Sequence, residues 1–174
     1  MKIRCDLHLN GGSRKLLLVP GPNETGEHLA LKLAAYLLFW DQNPVVEASS
    51  RHPALAGQEF IPDLMALNDS GEIALWVECG QATLHKLGKL VRRLPAARIV
   101  VIKATEREAA RLRQDVGDRL DRPERIEVLA WPGRSFHQWL AVVREKTEVY
   151  GEGGGLMINA VVNEHPIVAE LKVF

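Results

Sequence analysis

Two acidic residues in unusual surroundings open the chemical reading of this chain. Asp63 follows Pro62, and fifteen residues further on Glu78 lies inside an otherwise apolar, strand-like run from Ile73 to Gly80. A buried carboxylate loses its hydration at a cost of several kcal/mol unless a cation, a hydrogen-bonding partner or a shifted pKa compensates. Two acids delivered this way point to a metal site. A third, Glu27, falls on a helix stripe with Leu31, Ala34 and Leu38, and reaches the pair if that helix packs across the strands. Oxygen-only donors suit a hard divalent cation, Mg2+ or Mn2+. Such an ion polarises a phosphoryl oxygen and lowers the pKa of bound water, which is the chemistry of phosphodiester hydrolysis.

The structural counterparts are ordinary. Pro-Asp is a common turn dipeptide, Glu78 could pair with an arginine across the sheet, and Glu27 suits the positive end of its helix. The other chemistries are poorly represented. His8, His28, His52, His85, His137 and His165 show no HExxH spacing, no GxSxG is present, and the run Gly151 to Gly155 lacks the lysine of a phosphate-binding loop. The four tryptophans read as core aromatics.

The elements that must position these residues follow from periodicity. Lys2 to Leu9 and Lys15 to Val19 form strands around Asn10-Gly11-Gly12-Ser13, an N-terminal hairpin. After the Pro20-Gly21-Pro22-Asn23 break, a helix runs from about Glu24 to Trp40 and is apolar on most sides. Val45 to Ala48 is a short strand in a polar connection. Phe60 to Leu67 and Glu72 to Gly80 make a second hairpin around Asn68-Asp69-Ser70-Gly71. Leu84, Leu87, Leu90, Val91 and Leu94 then mark a helix, residues 98 to 103 a buried strand, Thr105 to Leu120 a charged helix and Ile126 to Ala130 a strand. Ser135 with Gln138 predicts a capping box opening a helix to about Lys146. Gly151 to Gly155 reads as a flexible loop before a C-terminal strand pair, Leu156 to Val162 and Ile167 to Val173, turning at Asn163-Glu164. The alternation from residue 72 to 146 implies parallel strands with right-handed crossovers. Joined to the hairpins, this predicts an α/β fold with one central mixed sheet flanked by helices.

Composition bounds the rest. At 174 residues and 47% hydrophobic content, one domain over residues 1–174 is expected. There is no span of about 20 apolar residues and no signal-peptide pattern at Met1 to Asn10, so a cytoplasmic protein without membrane contact is expected. Cys5 and Cys79 lack any paired spacing and fit a reducing compartment. Basic and acidic residues balance at 22 each, but Lys86, Lys89, Arg92, Arg93, Arg98 and Lys103 fall in residues 82–103 without an acid. That cluster is either a solvated helix face or a local positive field able to meet DNA or RNA.

The stretches Pro62-Asp63, Gly71-Glu72-Ile73, Leu75-Trp76-Val77-Glu78-Cys79-Gly80-Gln81 and Glu24-Thr25-Gly26-Glu27 resemble the YaeQ family, a branch of the PD-(D/E)xK nuclease-like superfamily. The resemblance is clear to about residue 103 and fainter beyond. It implies a restriction-endonuclease-like core, with Asp63 and Glu78 as metal ligands and Glu27 assisting. The lysine of the ExK motif is replaced by Gly80, followed by Gln81, as the resemblance to YaeQ proteins leads one to expect. A migrated lysine is then sought on the next helix, where Gln81, His85, Gly88, Lys89 and Arg92 share one side at 3.6 residues per turn, which favours Lys89 over Lys86. The resulting expectation is a metal-dependent nuclease-like enzyme in which Gln81 and Lys89 contact water or phosphate. Its rivals are a non-catalytic module binding nucleic acid or a protein, and a metal-dependent enzyme on another phosphorylated substrate.

Overall fold

A computed structural model describes all of residues 1–174. The chain forms eleven strands and four helices in two mixed sheets. The N-terminal hairpin is as expected: β1 (Ile3–Leu9) and β2 (Gly12–Leu18) are joined at Asn10 and Gly11, both at positive φ. That is the type I′ geometry that Asn-Gly favours, because its twist matches the strands it joins.

The predicted single sheet is two. The hairpin does not join the central sheet, because the free edge of β1 pairs in parallel with β8 (Lys146–Gly154). β8 continues antiparallel into β9 (Met157–Val162) and β10 (His165–Glu170), giving the order β10-β9-β8-β1-β2. The C-terminal strand pair is thus part of a five-stranded sheet. Gly151 to Gly154, expected as a flexible loop, lie inside β8. Glycine is used there for room: a Cβ on Gly153 would stand 2.6 Å from the Leu37 carbonyl oxygen and 2.8 Å from Leu9 Cδ2.

The second sheet contains β3 (Val45–Val46), β4 (Leu64–Leu67), β5 (Ile73–Cys79), β6 (Arg98–Lys103), β7 (Ile126–Ala130) and β11 (Lys172–Val173). β3, β4 and β5 form an antiparallel meander, whereas β5, β6 and β7 run parallel. Their crossovers are α2 (Leu84–Arg93) and α3 (Glu106–Arg119), which cover one face with a core including Trp76, Leu87, Val101 and Val116. α3 starts with a complete capping box between Thr105 and Glu108. The box predicted at Ser135 and Gln138 is absent: α4 spans Ser135–Val142 and Ser135 Oγ donates instead to the Pro132 carbonyl. α4 ends early because residues from Lys146 are drawn into β8.

α1 (Gly26–Leu38) lies between the two sheets and packs on strands of both. Every residue from Leu29 to Leu38 is buried, which explains its all-round apolar sequence. The one charged residue in that stretch is Lys32. Past β10 the chain crosses at Leu171 to the second sheet, where β11 pairs with β7. No helix is long and apolar enough to cross a membrane.

Gly153→Ala should force Leu37 or Leu9 to move and destabilise the protein by about 2 kcal/mol, the usual range for an overpacked core. Urea unfolding followed by fluorescence would read the shift in midpoint.

Candidate metal centre

Helical spacing delivers three functional side chains from the start of α1. Glu24, His28 and Lys32 recur at four-residue intervals and so line one face. Thr25 caps the helix, its hydroxyl accepting the His28 N–H at 3.2 Å. The Gly21 N–H donates to Glu24 Oε2 at 3.0 Å, which fixes the carboxylate just ahead of the first turn.

Asp63 meets this face from just before β4. Its Oδ2 accepts the Cys79 backbone N–H at 2.8 Å, and its Oδ1 lies 3.0 Å from His28 Nε2 and 3.6 Å from Lys32 Nζ. Lys32 Nζ donates to Glu24 Oε1 at 2.6 Å and to Glu47 Oε1 at 2.9 Å. Glu47 adopts a left-handed backbone, φ 56°, a conformation that costs a side-chain-bearing residue about 1 kcal/mol. Its ion pair with a lysine side chain that is only 5% exposed offsets that cost.

Charges in this cluster hold one another ionised. Burial alone would lower the Lys32 pKa, but the hydrogen bonds it donates to Glu24 and Glu47 and the charge of Asp63 outweigh it and raise it. Burial would raise Asp63, yet the His28 and Cys79 contacts keep it below the usual carboxylate range. Glu24 is likewise depressed, burial being outweighed by Lys32 and the Gly21 N–H. The hydrogen bond to Asp63 raises His28 against the opposing effect of burial.

Ligand atoms of Glu24, His28 and Asp63 all lie within 4.8 Å of one another, the spacing a single cation needs. The cluster opens on a cleft of about 530 Å³ lined by Asn23, Glu24, Glu27, His28, Gly80 and Gln81, among others. Glu27 and Gln81, both expected at the site, therefore line the cleft, but Glu27 is exposed and stands outside the three-ligand group.

Glu78 is buried as expected, and is also outside that group. Its Oε1 receives Trp76 Nε1 and Lys86 Nζ, each at 2.7 Å. Burial raises its pKa despite these partners. The lysine that reaches Glu78 is Lys86, whereas Lys89 bonds both oxygens of Glu59, at 3.0 and 2.9 Å. Helix projection from Gln81 misjudged this because residues 80–83 precede the helix, whose cap is Thr83. At Gly80 the backbone has φ +79°, a left-handed conformation that glycine adopts freely and lysine does not.

The basic cluster of residues 82–103 is largely compensated. Lys86 pairs with Glu78, Lys89 and Arg93 with Glu59, and Arg98 with Glu127. His28 and Lys32 were missed by motif reading, although their spacing from Glu24 is visible in the sequence. Cys5 and Cys79 are free and buried, with burial pushing both thiol pKa values up, that of Cys5 to about 12.

This site and fold can be set beside known proteins. The sequence matches the YaeQ protein family over residues 11–152. The chain belongs to the YaeQ family. No protein with a curated description matches it. Among solved structures, the YaeQ protein from Xanthomonas axonopodis pv. citri is similar with a TM-score of 0.74 at 18% identity, covering 99% of this chain and 96% of that one. The YaeQ protein from Pseudomonas syringae gives 0.69 at 15% identity, over 99% and 93%. At these identities the likeness is one of fold.

Lys32→Met should leave Glu24, Glu47 and Asp63 uncompensated and cost about 3 kcal/mol of stability, as for other broken buried pairs. Manganese should restore part of the loss, a rescue read by thermal unfolding with and without the ion. The elevated pKa of His28 also sets a sign: below it, a cation must displace a proton. Affinity for Mn2+ should rise by about tenfold per pH unit until His28 is neutral, then level off. Calorimetric titration of the wild type against His28→Gln, whose affinity should lose that dependence, checks it.

Proposed function

We propose that the protein is a metal-dependent hydrolase of phosphodiesters, a nuclease-like enzyme built on a restriction-endonuclease-like core. The observation that carries this reading is the convergence of Glu24, His28 and Asp63 within the reach of one cation, with the Lys32 ammonium beside Asp63. The meander β3–β4–β5, the parallel crossover through α2 to β6, and α1 on the opposite face support the proposed core.

In this reading Asp63 is a ligand, and Glu24 and His28 complete the set in place of Glu27 and Glu78. An imidazole among the donors favours Mn2+ over Mg2+, which prefers oxygen alone. A bound ion would polarise a phosphoryl oxygen and lower the pKa of its water. The protein groups do the rest. Lys32, buried behind the cleft and held by Glu24 and Glu47, offsets negative charge at Asp63 and so keeps that carboxylate ionised for the ion. Gln81, on the cleft wall, orients water or a phosphate oxygen. Glu78 with Lys86 and Trp76 braces the end of β5, and Lys89 has no part in the chemistry.

A second reading, a non-catalytic module binding nucleic acid or a protein, is favoured by one observation: at Gly80 the backbone conformation disfavours any lysine. The pairing of most of the basic cluster with acids weighs against an extended nucleic-acid surface.

Labelled single- and double-stranded DNA and RNA incubated with Mn2+ or Mg2+ should be cleaved by the wild type. Asp63→Asn should lower the rate by at least about 100-fold, as loss of a metal ligand does, while Lys89→Ala leaves it unchanged. Retained cleavage in Asp63→Asn sinks the metal reading; metal binding without cleavage of any of the four substrates favours the binding module.

A further inference from the structure

A second concave site lies at the far end of α2. Gly88, Val91, Arg92 and Pro95 on one side, and Arg119 to Arg122 on the other, enclose a groove of about 430 Å³. Since α2 rises 1.5 Å per residue, Gly88 to Arg92 lie roughly 6–12 Å along the helix from its start at Leu84. The groove shares no residue with the cleft at the metal centre.

Its charge is not consumed by the protein. Arg92, Arg119 and Arg122 make no side-chain hydrogen bond and no ion pair, unlike Arg93, Arg98, Arg113 and Arg125 nearby in the chain, which are all engaged. Helix dipoles account for Arg92 and Arg119, which sit in the last turns of α2 and α3. They do not account for Arg122, which lies outside both helices. Asp121 lines the same groove and forms no ion pair with any of the three arginines.

The floor is apolar and kept open by a glycine. Val91 is buried, Leu120 half-buried, and a Cβ on Gly88 would stand 3.5 Å from Leu120 Cδ2 and 3.9 Å from Arg92 Nη1. Gly88 is in the interior of α2, where alanine would be the better helix former. Packing does not demand the glycine, because 3.5 Å is ordinary contact. Its use keeps space between the arginines and the apolar floor.

We propose that this groove binds a small organic phosphate of nucleotide-like chemistry. The guanidinium groups of Arg92, Arg119 and Arg122 hold the phosphate oxygens as paired donors. Val91, Leu120 and Pro95 carry the apolar part of the ligand. Asp121 accepts from a hydroxyl or amine, a role no phosphate oxygen can fill. The volume is that of a small-molecule pocket rather than a macromolecular interface.

The test uses the full chain in the presence of a chelator, which removes coordination at the metal centre. Titration calorimetry with 5′-AMP should show one saturable site, with adenosine binding at least about tenfold more weakly for want of the charged phosphate, and inorganic phosphate competing. Arg92→Gln and Arg119→Gln, both exposed, should each weaken AMP binding by about tenfold, the scale of a lost charged hydrogen bond, while leaving Mn2+ binding intact once the chelator is removed. Gly88→Ala should raise the melting temperature yet weaken AMP binding. Absence of saturable binding at millimolar AMP, affinity indifferent to all three substitutions, or binding of a short oligonucleotide but not of AMP each overturns the proposal.

Discussion

One ammonium group, that of Lys32, ties three separate parts of the chain together at one point. It projects from a helix enclosed by two sheets and gathers carboxylates from Glu24, Glu47 and Asp63. A lone charge in such a place would be expelled or neutralised; surrounded by three acids it stays ionised, and in turn helps hold Glu24 and Asp63 ionised. The cost of enclosing each charge is met by the others, so the group stands or falls together. This is why Glu47 tolerates a left-handed backbone and why Asp63 and Glu24 can be half-buried near each other.

The same balance shapes the chemistry available. A cation entering between Glu24, His28 and Asp63 meets an existing positive charge beside two of its ligands. Binding there would be a competition with the Lys32 ammonium and, at low pH, with the proton that Asp63 helps His28 to keep. Glu78 stands outside the three-ligand group, although the charge of Asp63 reaches it and adds to the rise in its pKa. Its charge is answered locally by Lys86 and Trp76 on the α2 side of β5, which makes it a strut at the end of the strand.

Local patterns in the sequence revealed much of the architecture. Asn10-Gly11 marked the first hairpin, the Leu87, Leu90 and Val91 stripe marked α2, and the charged run from Thr105 marked α3. Non-local pairing did not show in the same way. β1 pairs with a strand some 140 residues later, and the glycines of that strand have the composition of a loop although Gly153 serves close packing beneath α1 and Gly151 close packing on β9. At the candidate centre, Asp63 and Gln81 were legible from motif and order. Glu24, His28 and Lys32 recur at regular helical intervals, but the stripe through Glu27, Leu31, Ala34 and Leu38 has the same spacing. Which stripe faces Asp63 depends on how α1 is rotated between its two sheets, and sequence periodicity is silent on rotation when nearly every face is apolar.

The crossing at Leu171 has a mechanical consequence. Because the last strands are stitched first to one sheet and then to the other, the two layers around α1 are strapped at the side as well as glued by their core. They cannot part like the jaws of a clamp without tearing β11 from β7. The acidic cleft therefore lies between layers joined both by the core around α1 and by the terminal pairing of β11 with β7.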